Sequence, residues 1–140
     1  MLSLEKAPEE AEKRFGTLVS AREGAISYIE SELAGGRIPE GAAVDRKARE
    51  IICSSGYSAG LKHRTGHGID TEVHGSGVNM DSVEFPDSRL LLEGSCFSLE
   101  PGIYFSDYGM RTEVNVYIRH GKPHVSGSPH ERQCSLMCCD

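Results

Sequence analysis

His63-Arg64-Thr65-Gly66-His67-Gly68-Ile69-Asp70-Thr71-Glu72-Val73-His74 packs three histidines into twelve residues, and the glycines among them argue against a helix. In extended backbone, where side chains alternate, His63 and His67 share a face. The stretch lies just beyond the point, at Gly56, where the chain changes character. Downstream, helical periods give way to glycines and short alternating runs such as Cys96-Phe97-Ser98-Leu99-Glu100 and Glu113-Val114-Asn115-Val116-Tyr117-Ile118.

Upstream, Ala11, Phe15, Leu18, Val19, Ile26, Ile29 and Leu33 recur at three- and four-residue steps, predicting an amphipathic helix over 8–34. Pro8 suits a helix start, Glu9 and Glu10 complement the dipole there, and Gly35-Gly36 ends the run. A second helix is predicted over 42–55, with Val44, Ala48, Ile51 and Ile52 inward and Arg46, Lys47, Arg49 and Glu50 on the other face. Residues 61–127 read as a sheet carrying the polar motifs, interrupted by a long loop from Gly75 to Gly94 in which Leu90, Leu91 and Leu92 form an apolar anchor. Two helices followed by strands predict one α+β domain, its helices covering a mainly antiparallel sheet.

Within that sheet, alternation sets Phe97 and Leu99 on one side and Ser98 and Glu100 on the other, before Pro101-Gly102 stops the strand. In the next strand Val114, Val116 and Ile118 take the core face, leaving Arg111, Glu113, Asn115 and Tyr117 opposite. One histidine and two carboxylates on neighbouring strands form a nitrogen and oxygen ligand set suited to manganese, iron, cobalt or zinc. Spacing alone leaves the bland alternative open, since a lone strand glutamate usually faces solvent.

The 140 residues fit a single domain, and a formal charge of −6 from 21 acidic and 15 basic side chains offers nothing to a nucleic acid. The sequence contains no apolar run long enough to span a membrane and no export pattern, which predicts a cytoplasmic protein without a membrane partner. Cys53, Cys96, Cys134, Cys138 and Cys139 lack paired zinc spacing and read as reduced thiols.

Thr65-Gly66-His67-Gly68-Ile69, Leu99-Glu100-Pro101-Gly102-Ile103-Tyr104 and Gly109-Met110-Arg111-Thr112-Glu113 resemble three successive motifs of the prolidase, aminopeptidase P and creatinase family of "pita-bread" proteins. Val44-Asp45, Ala48-Arg49 and Gly56-Tyr57 resemble the family's helix before the first histidine motif. The resemblance implies that His67, Glu100 and Glu113 ligate metal and that Glu100 also manages a proton. His63 and His74 would contact substrate and stabilise the transition state, while Arg111 would support the ligands.

It further implies a divalent metal (manganese, cobalt or zinc) and a peptide substrate with proline after the scissile bond. The family's remaining two ligands are aspartates on a preceding hairpin, and upstream of His63 this sequence has only Asp45. The expectation is therefore a partial pita-bread domain, truncated, inactive alone and self-associating as a homo-oligomer, with 128–140 as a tail that ends in the foreign-looking Cys138-Cys139-Asp140. The alternative is a non-catalytic peptide- or protein-binding module that keeps the fold.

Overall fold

In the computed structural model, which describes residues 8–128, helix α1 runs over Glu9–Ala34 and helix α2 over Gly41–Ser54. The Cys134 to Asp140 tail lies outside the described residues. Glu9, Glu10 and Glu12 occupy the first turn of α1, where their charge suits the dipole, and the chain leaves the helix through Gly36 at φ 76°. A single 3-10 turn at Ser58–Gly60 leads into the histidine segment.

Five short strands follow: β1 (Cys96–Leu99), β2 (Gly102–Tyr104), β3 (Gly109–Arg111), β4 (Val114–Arg119) and β5 (Lys122–Ser126). All pairings are antiparallel, in a three-stranded sheet ordered β1-β4-β5 and a two-stranded one, β2-β3. The two sheets are successive parts of one ribbon. Leu99 faces Val114 and Gly102 faces Arg111 in a single register, so Glu100 lies opposite Glu113 and Pro101 opposite Thr112. Proline has no N–H to donate and interrupts the ladder there, leaving one bond, from Thr112 N to Pro101 O.

The core joins Leu18, Ala21, Ala25 and Ile29 of α1 to Val44, Ala48 and Ile52 of α2 and to Phe97, Leu99, Val114, Val116 and Ile118 of the sheet. β4 alternates buried and exposed at every residue, as its sequence predicts. Gly24 of α1 lies so near Ile51 that a Cβ would fall 2.2 Å from its Cδ1, which sets how closely the helices approach. Arg22, fully buried on α1, donates through Nη1 to Thr112 Oγ1 at 2.8 Å and so ties the helix to the ribbon's break.

Several expectations differ in detail. Residues 61–95 hold only isolated bridges, Gly66 with Met80, Gly68 with Phe97 and Glu40 with Leu90, rather than full strands. The histidine segment nevertheless runs antiparallel beside β1, because Glu100 N donates to Thr65 O, Ser98 N to His67 O and Ile69 N to Cys96 O. Of the leucine anchor only Leu91 is buried, since extended backbone sends Leu90 and Leu92 outward. Arg49, expected on the solvent face of α2, turns inward to ion-pair with buried Asp45 at 2.8 Å.

The loop beneath the histidine segment is held by its own polar network. Asp87 is bonded by Arg89 and by the backbone N–H of Asn79, and Asn79 Oδ1 accepts from Gly68 N at 3.1 Å. The Arg89 guanidinium, outweighing the cost of burial, holds the Asp87 carboxyl at a pKa of about 2.

Because that folded value lies below the unfolded 3.8, the stabilisation is complete above pH 3.8 and is lost as pH falls through about 2. Urea denaturation across this range should show the wild type losing about 2 kcal/mol that Asp87→Asn does not lose; parallel curves would contradict the assignment.

Two glycine substitutions should move stability in opposite directions. A Cβ at Gly66 would sit 1.8 Å from the Ser98 carbonyl oxygen, whereas one at Gly16 meets nothing within 4 Å. Gly66→Ala should destabilise the fold by about 1–3 kcal/mol as the histidine segment is pushed off β1. Gly16→Ala should stabilise α1 by about 0.5–1 kcal/mol, both read from thermal and urea melts.

Candidate metal centre

The site is built where the histidine segment crosses β1 and the ribbon breaks. Gly66 and Gly68 flank His67 because backbone lies against both, Ser98 O at the first and Gly77 at the second. That confinement buries His67, which is 5% exposed. Its Nδ1 lies 3.0 Å from Gly68 O, and a carbonyl oxygen only accepts, so Nδ1 carries the proton. In the neutral ring Nε2 is then a bare lone pair.

That lone pair faces Glu100 Oε1 at 3.3 Å. Two acceptors this close require a shared positive charge, either a proton on the imidazole or a cation bound between them. Buried Ser98 supports both sides of the gap: its Oγ accepts from His67 N at 3.0 Å and donates to Glu100 Oε1 at 3.1 Å.

Arg111 stands on the other side of Glu100. Its Nη1 lies 3.4 Å from Glu100 Oε2 and its Nη2 3.5 Å from Glu113 Oε2, so one guanidinium spans the two carboxylates that the ribbon register sets opposite each other. His74 is exposed, but its ring centroid lies 4.3 Å from that of His67. His74, His67, Glu100, Arg111 and Glu113 thus form a chain of neighbours, each next to the one before.

His63 sits apart, farther along the ribbon beside Gly102, with its Nε2 2.9 Å from the Tyr104 hydroxyl. Its backbone is fixed by Arg49, which donates to His63 O at 2.9 Å. Arg49 is itself held by Asp45, whose other bonds go to the N–H and hydroxyl groups of Thr65 and Ser82. Asp45 is wholly buried and fully committed to this role.

Sequence reading gives no role to Ser98, Tyr104 or Asn79. The first two share the i, i+2, i+4 face of Glu100, Ser98 directly and Tyr104 beyond the break, so strand alternation carries a signal for them. Asn79 reaches Gly68 across a loop bridge that no local pattern announces.

The donors fit a divalent cation in kind, one imidazole nitrogen and carboxylate oxygens, but not yet in number. Among the described residues no three such groups converge on one point, because Glu113 and one Glu100 oxygen face Arg111. A separate cleft of about 220 Å³, between Ile69, Ser76 and Cys96, opens elsewhere and shares no residue with this cluster.

The chain is 44% identical over 71 residues to an Xaa-Pro dipeptidase from Lactobacillus delbrueckii subsp. lactis, covering 50% of this chain and 18% of that protein. Its fold superimposes on the recombinant prolidase of Thermococcus sibiricus with a TM-score of 0.74 at 28% identity, over 89% of this chain and 31% of that one. Dipeptidase PepE from Mycobacterium ulcerans gives a TM-score of 0.76 at 27% identity, over 93% and 33%. The chain therefore spans between 18% and 33% of the lengths of these relatives. The α+β architecture is that of the prolidase-type pita-bread structures, and the family as a class supports a divalent metal. With the family model matched over residues 2–120, the chain belongs to metallopeptidase family M24.

Proposed function

We propose that this chain carries the histidine and glutamate part of an Xaa-Pro peptidase site, and that these 140 residues alone do not turn substrate over. The observation that carries the reading is His67 Nε2 facing Glu100 Oε1 at 3.3 Å, with Glu113 opposite Glu100 in the ribbon register. His67, Glu100 and Glu113 would hold manganese, cobalt or zinc, and a metal there supplies an activated water and a polarised carbonyl.

The chain's own residues contribute the rest. Glu100 would also take and return a proton, its side chain held by the bond that Oε1 accepts from Ser98. His74, beside His67, would meet a peptide carbonyl, and His63, farther along the ribbon beside Gly102, would contact the substrate there. Arg111 holds both carboxylates in place with its two nitrogens. A residue following the scissile bond would be proline, as the names of the relatives indicate for those proteins.

Inactivity of the isolated chain follows from ligand count. The only aspartate upstream of His63 is Asp45, whose oxygens are taken by Thr65, Ser82 and Arg49. A second ion would lack ligands. The rival reading, a binding module without chemistry, draws on Arg111, which already offsets half the charge of the two carboxylates without metal. A cytoplasmic setting is part of the proposal, in keeping with the free thiols of Cys53 and Cys96 and the lack, among the described residues, of any helix long and apolar enough to cross a membrane.

Calorimetric titration of the metal-free chain with manganese, cobalt and zinc should give one weak site. That site should be lost in His67→Ala and Glu113→Ala, with no hydrolysis of Xaa-Pro peptides. Two tight ions with turnover would refute inactivity, while no binding at all would favour the module.

We also propose self-association, supported by Val73, Val83 and Phe85, each more than 60% exposed on the loops that lead from the histidine segment to β1. Light scattering should give a mass above 15.2 kDa that rises with concentration; a clean monomer at high concentration would rule this out.

A further inference from the structure

His63 makes two ring contacts that together dictate where its proton sits. Nδ1 lies 2.6 Å from the Arg64 carbonyl oxygen, and that oxygen cannot donate, so Nδ1 must. In the neutral ring Nε2 is then an acceptor. The Tyr104 hydroxyl, 2.9 Å away, is the donor that meets it, with the rings edge-on at 5.3 Å between centroids.

A second feature shows that the pair has been given room. A Cβ at Gly102 would fall 2.8 Å from His63 Nε2 and 2.8 Å from Tyr104 Oη, so any larger residue there would be driven into this hydrogen bond. Arg49 fixes the backbone carbonyl of His63 from behind, and Phe105 next to Tyr104 packs edge-on against Tyr57 at 6.1 Å. Both partners are thus held by separate elements.

We infer that the Arg64 carbonyl locks neutral His63 in the Nδ1–H tautomer and that Tyr104 is a positioning residue, its hydroxyl donating to the Nε2 lone pair that results. Neutral His63 therefore has no Nε2–H to offer. It donates from Nε2 only once protonated, when both ring nitrogens carry hydrogen and Tyr104 Oη turns to accept. The tautomer stands on geometry alone, whereas its bearing on oxyanion stabilisation rests on the function proposed above.

The test is a long-range ¹H–¹⁵N spectrum of the full 140-residue chain labelled at histidine, recorded without metal at a pH of about 8, where imidazole is neutral. In the wild type His63 should show a protonated Nδ1 and a bare Nε2. In Tyr104→Phe the Nδ1–H form should persist, because Arg64 O still accepts, while Nε2 loses its donor and its ¹⁵N resonance moves towards that of an unbonded lone pair; His67, tied to Gly68 O, stays unchanged as an internal control.

A wild-type His63 with hydrogen on Nε2 would overturn the inference, and needs no variant to be seen. An Nε2 resonance that Tyr104→Phe leaves unchanged would overturn the role of Tyr104. Neither reading depends on metal or turnover, so failure here and failure of the proposed function are separately visible.

Discussion

Asp45 is the constraint on which the rest of the site depends. A carboxylate with no exposure to water is tolerable only when its oxygens are fully bonded, and this one accepts from Thr65, Ser82 and Arg49 at once. Those three partners lie on the histidine segment, on the loop after it and on α2 itself. The same Arg49 then reaches the backbone of His63. Burial of one charge in the second helix therefore draws an otherwise irregular, glycine-rich stretch into a fixed track beside β1. Without it, nothing in the local sequence of residues 63–74 would hold an extended path.

The second half of the site comes from a fault in the ribbon. Pro101 breaks the ladder between β1 and β2, yet the register survives, so Glu100 and Glu113 end up facing each other at the one place where strand pairing is interrupted. Arg22 of α1 secures that place from within the core through Thr112. Two carboxylates held opposite each other repel, and Arg111 between them is the compensation the chain itself supplies. The charge deficit that suits a cation is thus a consequence of strand register rather than of residue choice alone.

Much of this is legible in the sequence, and the reasons are specific. Period-2 alternation in β4 and the three- and four-residue steps in α1 and α2 report directly on which faces are apolar, so the helices, β4 and the shared face of Glu100 and Glu113 can be read from residue order. The glycines around His67 point away from a helix, but the crossing they permit is a long-range fact: the Ser98 carbonyl oxygen lies 1.8 Å from where a Cβ on Gly66 would stand. Periodicity does not reveal the inward reach of Arg22 and Arg49, because their partners, Thr112 and the His63 carbonyl, are remote in sequence. The same holds for Tyr104, whose meaning depends on a histidine 41 positions earlier.

In the function proposed above, the gap between His67 Nε2 and Glu100 Oε1 is the place where this chain meets a cation. Anomalous diffraction from crystals of the protein soaked in manganese tests it most directly. The account predicts an ion ligated by His67 Nε2 and Glu100, with Arg111 displaced from the carboxylate it now faces. An ion bound only elsewhere, or none while Arg111 still bridges Glu100 and Glu113, would contradict it.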